Sequence, residues 1–283
     1  MHGYTHTHTH THGHQNETKE THTHTLASLV VLVQQMEDNT PCGDGLANLA
    51  PTLIQQDLQP TADPHVQKNA IVLLTSLISL DAALWKQLVV EQNSLVPTLV
   101  SLLSAALSAN PVDDTAVINL LSALAAVTQK GEEGARSVID SQGQPVVNRA
   151  CGVSASETSA QVQEAAADLI CQMATYEGSV RDAMIEAGCV DALAALLAGD
   201  PTQCSEVHVR ALLGLGMLTA SNPRAQLQLA SHANIKDLMA IIQHSPDADA
   251  KEVGKDLFKA LARSEDSRNA MAEAMRSTVN ASN

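Results

Sequence analysis

The chain has 283 residues, long enough for a large helical domain or a row of stacked repeats, and 31 Asp and Glu side chains against 16 Lys and Arg give it a formal net charge of −15 at pH 7. This acidic excess argues against binding to nucleic acids or to anionic membranes, because both require basic side chains. Aromatic residues make up only 1% of the chain and no apolar run of about 18 residues is present, which disfavours β-sheet folds and transmembrane helices.

Residues 1–25 form a low-complexity segment rich in His and Thr. The segment has no apolar face to bury, so we expect it to be disordered. His6, His8, His10 and His12 alternate with threonine, and alternate residues of an extended chain point to one side, which suits Zn²⁺, Ni²⁺ or Cu²⁺. No carboxylate or thiol in the tract fixes a coordination geometry. We therefore predict adventitious metal binding and no resident cofactor, with a metal-binding protein acting through this tail as an alternative function.

Helices are predicted for the rest of the chain. Residues 26–63 contain two short apolar helices, Leu26 to Met36 and Leu46 to Leu58, which we interpret as an N-terminal cap or degenerate repeat. From Pro64 onward, long helices that follow Pro, Asp or Ser start signals are predicted at 66–80, 113–129, 160–176, 205–221 and 248–263.

Each long helix is followed by a short one and, in most units, by a further helix. The short helices are predicted at 82–92, 134–140, 179–187, 224–231 and 267–275, and the further ones at 95–107, 189–197 and 235–242. Residues 143–159 are rich in Gly and Ser, which predicts a short helix and a protruding loop, and the tail 276–283 is expected to fray.

A pattern of apolar residues recurs after 45 positions (207 − 162). With that offset Val162 aligns with Val207 and Leu193 with Leu238. Apolar columns at a fixed long spacing indicate a repeated structural unit that buries its hydrophobic face against its neighbours.

Two sequence stretches resemble the armadillo repeat. Arg181 to Leu197, RDAMIEAGCVDALAALL, is similar to its first two helices with an Ala-Gly corner at Gly188, and Val207 to Ala220 is similar to its third helix. Glycine suits such a corner because it tolerates positive φ. The resemblance covers residues 64–275, about five units, and implies an all-α fold, a right-handed α-solenoid whose third helices line a concave face. HEAT repeats, in which the first two helices merge, are the alternative.

Importin-like members of the armadillo family carry Trp and Asn at fixed positions of the third helices. The Trp positions align here with Thr75, Ser122, Asp168, Leu213 and Asp256, and the Asn positions with Ser79, Ala126, Gln172, Met217 and Ala260. Neither residue type is present at these positions, which argues against a receptor for nuclear import signals. Asp168 and Glu164 would still favour a basic ligand. We take Glu164, Asp168, Gln172 and Met217 as candidate partner-binding residues.

A second group of candidates lies near the C-terminus. Lys251, Lys255, Lys259 and Arg263 are spaced by four, and we predict that they share one helical face. They form either a solvated face with ion pairs within the helix or a basic stripe that binds an acidic segment of a partner.

The sequence contains no motif typical of an enzyme. A glycine-rich phosphate loop, a GxSxG elbow and an HExxH zinc motif are all absent, and no two of the five cysteines form a CxxC pair. Unpaired, widely spaced cysteines favour a cytoplasmic protein, with the nucleus as the alternative compartment. We therefore expect a monomeric, non-enzymatic scaffold that binds another protein on its concave face. An armadillo-type co-chaperone, a nucleotide-exchange factor for a heat-shock chaperone, is the alternative.

Overall fold

The structure, a computed structural model, describes residues 11–36, 44–153, 159–203 and 206–281, and its regular elements in these ranges are all helical. The chain divides into two compact units, Met1–Thr98 and Leu99–Asn283. The helices that begin in the first unit are α1 (Thr11–Gln34), α2 (Asp44–Thr52), α3 (Pro64–Leu80), α4 (Ala82–Trp85) and α5 (Leu95–Ala106). The division falls inside α5.

The first unit is built around α3, against which α1 packs. Leu26 and Val33 of α1 are buried, and the Asn69 side chain of α3 donates a hydrogen bond of 3.3 Å to the Thr23 carbonyl. The ring of His22 also reaches the buried Asp57, with 3.1 Å between Nε2 and Oδ1. Helix α1 begins at Thr11, within the tail that the sequence predicted to be disordered, and these two contacts tie the part just before Leu26 to the rest of the unit. No proline interrupts it, and packing against α3 outweighs the weak helix propensity of Thr and His.

Two helices of the first unit continue in π-helical form, α2 over Leu53–Asp57 and α4 over Lys86–Glu91. No single helix among the described residues is both long and apolar enough to cross a bilayer. Only α3 taken together with Ala82–Glu91 meets the requirement for length and composition, and a bend of 114° separates the two.

The second unit repeats one order of helices, two short ones followed by a long one. Its described helices are α6 (Asp114–Gln129), α7 (Glu132–Asp140), α8 (Gly143–Cys151), α9 (Ser159–Ala174), α10 (Ser179–Glu186), α11 (Cys189–Ala195), α12 (Glu206–Thr219), α13 (Pro223–Ala230), α14 (Ile235–His244), α15 (Ala248–Leu261) and α16 (Glu265–Ala281). The order therefore occurs three times between α7 and α15, and the long helices lie within a few residues of their predicted positions.

Local signals set the helix starts that the sequence predicted. The carboxylates of Asp113 and Asp247 accept hydrogen bonds from the backbone N–H groups of Ala116 and Ala250, and Asn222 does the same for α13. Such caps satisfy N–H groups that have no partner within the helix.

The corner between the first two helices of a repeat uses glycine in two different ways. Gly188 joins α10 to α11 with a φ of +87°, as the sequence predicted, and it keeps the two helices separate rather than merged. One repeat earlier the positive φ belongs to Gln142, at 57°. Gly143 follows it at the start of α8, where an added Cβ would lie only 2.8 Å from a methyl carbon of Val138. Close packing therefore explains Gly143.

Side-chain hydrogen bonds tie successive repeats together at nearly the predicted spacing. The Gln144 amide donates to the Cys189 sulfur at 3.0 Å, 45 residues later, and the Asn148 amide donates to the Ala187 carbonyl at 2.8 Å. At the C-terminal end α16 continues to Ala281, beyond the predicted end at Met275, because it contains neither Gly nor Pro. The predicted loop after α8 falls on residues 154–158, which lie outside the described residues.

Candidate functional site

The long helices of the second unit form one continuous surface. Helix α9 packs against both α6 and α12, and α12 packs against α15. We call the outward-facing residues of these four helices the groove surface. It contains two parts with different chemistry, one where α12 meets α9 and one where α12 meets α15.

A chain of polar side chains covers the surface between α6, α9 and α12. Arg210 lies 3.1 Å from Glu206 and 3.4 Å from Asp168, measured between guanidinium nitrogens and carboxylate oxygens. The Gln172 amide donates a hydrogen bond of 3.0 Å to the other oxygen of Asp168, and the Thr128 hydroxyl lies 3.4 Å from the Gln172 carbonyl oxygen. We call these five residues the polar chain. Its carboxylates already have a cationic partner within the protein.

A buried thiol holds the backbone at Arg210 in place. The Cys171 thiol donates a hydrogen bond of 3.1 Å to the Arg210 carbonyl, and burial, reinforced by the nearby Asp168 charge, raises the pKa of Cys171 to about 12. The thiol therefore stays protonated and keeps its donor. The side chains of Arg210 and Asp168 are 37% and 38% exposed, so solvent screens their pairing, and it contributes between about 0 and 1 kcal/mol.

Between α12 and α15 the groove surface opens into a cavity of about 570 Å³. Most of its lining is apolar, and the larger of these side chains are Leu212, Leu213, Met217, Val253 and Leu257. Gly216 also lines the cavity, and a Cβ added there would meet no atom of another element within 4 Å. The absent side chain of Gly216 therefore leaves space that faces the cavity. We call this cavity the α12–α15 pocket.

Two charged residues stand at the edge of the α12–α15 pocket, and they differ in their partners. Asp256 accepts a hydrogen bond of 2.8 Å from Lys259, and this bond and the lysine charge hold the pKa of Asp256 below its usual value. Arg263 lines the pocket beyond the end of α15 and is exposed. The carbonyls of Ala262 and Arg263 are capped by Arg268, at 2.7 and 3.2 Å. Among the described residues, no carboxylate pairs with the Arg263 guanidinium.

The predicted site residues are distributed over both parts of the groove surface. Asp168 and Gln172 belong to the polar chain, and Met217 and Arg263 line the α12–α15 pocket. Glu164 lies half-exposed on α9.

The four basic residues of the predicted stripe do not share one environment. Lys251, Lys255 and Lys259 lie outside the lining of the α12–α15 pocket, which Arg263 alone of the four reaches. Lys251, Lys255 and Lys259 lie on α15, whereas Arg263 follows its end at Leu261, so the four residues do not lie on one helix.

The sequence did not point to Arg210 or Gly216. Arg210 follows Glu206 by four residues, a spacing that favours an ion pair, but its contact with Asp168 depends on how α12 packs on α9. Gly216 had a visible signal, because a glycine inside a long helix costs roughly 1 kcal/mol relative to alanine.

The predicted metal site is not covered by the structure. His6, His8 and His10 lie outside the described residues, as does the side chain of His12. In the described part of the chain, no group of three or more His, Cys, Asp or Glu side chains is placed to hold a metal ion.

Comparison with known proteins gives structural neighbours only. No family model and no curated protein sequence matches the chain. A designed armadillo repeat protein in complex with the peptide (KR)4 is 18% identical, with a TM-score of 0.64 over 83% of this chain and 91% of that one. A structure of computationally designed armadillo repeat proteins for modular peptide recognition is also 18% identical, with a TM-score of 0.60 over 82% and 99%. An engineered protein, 21% identical, has a TM-score of 0.64 over 82% of this chain, which spans about half (51%) of its length.

Identities this low establish the fold and nothing further. The first and second helices of a repeat are separate on either side of Gly188. The chain has an armadillo-type repeat fold.

Proposed function

We propose that this protein is a non-enzymatic scaffold that binds a peptide segment of a partner protein on its groove surface. The α12–α15 pocket carries the proposal, because it is an open apolar cavity whose volume lies in the range of binding pockets, roughly 300–1,000 Å³. An apolar pocket with a few charged groups at its edge is typical of sites that anchor one large side chain of a ligand.

The position of the pocket supports the same proposal. It lies between two third helices, and four positions aligned with the peptide-binding residues of importin-like proteins line it: Leu213, Met217, Asp256 and Ala260. One of the neighbouring designed proteins was solved with a peptide bound. The similar fold supports peptide binding by this chain. Which ligand binds depends on the residues of its own site.

The proposal is tested by selecting short random peptides on the full chain and measuring their affinity for a variant with a filled pocket. A Cβ added at Gly216 would meet no atom of another element within 4 Å, so we expect the leucine of Gly216→Leu to enter the cavity and the protein to fold normally. We expect the selected peptides to bind Gly216→Leu at least about tenfold more weakly, a loss of roughly 1.4 kcal/mol.

A matched control is available in the first unit. Gly45 lies on α2, and a Cβ there also has no neighbour within 4 Å. Gly45→Leu makes the same change to a helix surface and should leave peptide affinity unchanged. Peptides that bind all three proteins equally would place binding elsewhere and refute the proposed function.

A further inference from the structure

We propose that the α12–α15 pocket recognises an acidic and apolar peptide segment, whose large apolar side chain enters the pocket while a neighbouring carboxylate binds Arg263. This inference rests on the proposed function and names the chemistry of the ligand. It differs in sign from the basic peptide bound to the designed neighbour.

The α12–α15 pocket is lined by a cation that has no carboxylate partner in the described part of the chain. Arg263 lines the pocket, and no carboxylate among the described residues pairs with it. Capping of α15 does not use it either, because Arg268 already donates to the terminal carbonyls. A guanidinium next to an apolar cavity offers two parallel donors to a carboxylate, which gives both orientation and binding energy.

The acidic groups nearby already have cationic partners within the protein. Asp256 is paired with Lys259 at 2.8 Å, and Asp168 and Glu206 are both paired with Arg210. A basic ligand would have to displace these internal cations, whereas an acidic ligand meets Arg263 without competition. Of the two charged residues that line the pocket, Asp256 is therefore paired and Arg263 is the one that remains available to a ligand.

The large negative charge of the whole chain is distributed unevenly along the sequence. Residues 26–244 contain 9 Lys and Arg against 22 Asp and Glu, but residues 245–283 contain 6 against 7. The acidic excess thus lies outside the segment that carries Arg263. At physiological salt, charges more than about 8 Å away are largely screened, so local groups decide which ligand binds.

Two display libraries of short peptides test the inference on the full chain. Both contain Leu, Phe, Ala, Ser and Gly, and one adds only Asp and Glu as charged residues while the other adds only Lys and Arg. We expect the acidic library to yield binders that depend on both the apolar residue and the carboxylate. Their affinity should fall about tenfold or more for Arg263→Glu, the scale of a lost charge-assisted contact.

Lys255→Glu is the matched control, because it reverses a positive charge on α15, eight residues before Arg263 and outside the pocket lining. It should change affinity less than about twofold, since a screened surface charge contributes little. Replacing the carboxylate of the selected peptide by lysine should restore binding to Arg263→Glu.

The outcomes separate this inference from the proposed function. Binders from the basic library alone, lost on Gly216→Leu, would overturn the acidic ligand and leave peptide binding in place. If neither library yields binders sensitive to Gly216→Leu, both proposals fail. A dimer of the native chain that Gly216→Leu dissociates, measured by light scattering, would show that a second copy occupies the pocket and would also overturn the inference.

Discussion

The two sides of α12 on the groove surface show how one helix can form a closed interface and an open one. Toward α9, Arg210 pairs with Asp168 while Gly214 allows close packing, since an added Cβ there would lie 2.6 Å from Leu193 Cδ1 and 3.1 Å from Cys171 Sγ. Toward α15, Gly216 lines the α12–α15 pocket, and Arg263 has no carboxylate partner among the described residues. A long helix of a neighbouring repeat packs against α12 on each side, but the side chains that it meets differ.

This difference teaches that ligand chemistry in a repeat protein can change from one groove to the next. In the polar chain one arginine pairs with both carboxylates, so a basic ligand must compete with Arg210 for them. The α12–α15 pocket leaves apolar surface and one cation exposed, and burial of apolar surface is the larger source of binding energy. The three predictions that follow test this contrast, in order of decreasing effect.

The largest effect is expected from the two glycines of α12. Gly214→Leu forces a large side chain into the closed interface and should lower the free energy of unfolding by about 3 kcal/mol, the upper range for overpacking. Gly216→Leu should instead raise it by up to about 0.8 kcal/mol, because leucine is a better helix former than glycine. Denaturant unfolding of the two variants measures both, and equal losses would contradict the assignment of a closed and an open side.

The second prediction concerns the internal cation of the polar chain. Arg210→Ala frees Asp168 and Glu206, so affinity for the basic peptide (KR)4 should rise about fivefold, equivalent to roughly 1 kcal/mol. Fluorescence titration at low salt measures the change.

Arg224→Ala serves as the control for this experiment. It removes an arginine that pairs with Glu186 on α10, at 3.6 Å and outside the groove surface. A similar gain in both variants would mean that net charge, rather than the two freed carboxylates, attracts the peptide.

The smallest effect is expected for the pH dependence of stability, through His208 on α12. His208 is buried near Asp237 of α14, and burial lowers its pKa below the ordinary 6.5. As pH falls below about 6.5 the unfolded chain takes up a proton that the folded chain resists, so the folded state loses stability.

His208→Gln removes this difference and should flatten the pH dependence of the free energy of unfolding as pH falls below about 6.5. Burial also raises the pKa of Asp237. Because Asp237 is present in both proteins, it should contribute about equally to the pH dependence of each. Parallel pH profiles for the two proteins would refute a buried neutral histidine.

Much of the fold was readable from the sequence because its signals are local. The apolar period placed the long helices, and Asp113, Asp247 and Asn222 marked helix starts through their own backbone contacts. Gly188 marked the corner because few other residues adopt its φ. The ends of the chain were harder. Helix α1 extends before Leu26 because it packs against α3, a contact between residues far apart in sequence.

The candidate site was predicted only in part. Alignment with the armadillo pattern led to Met217 and Asp168, since position within a repeat is fixed by the period. The α12–α15 pocket was not predicted, because a cavity depends on how far two helices stand apart and on which side chains fail to fill the space.

The sequence by itself determined an all-α repeat fold, the helix starts and an acidic surface, since periodicity, capping and charge count belong to the residues themselves. Only the tertiary structure decided that Arg210 neutralises Asp168, that Gly214 is enclosed while Gly216 is open, and that Arg263 reaches the pocket whereas Lys255 does not. These distinctions depend on distances of a few ångströms between helices about 40 residues apart. Such distances are set by packing, and no local sequence pattern records them.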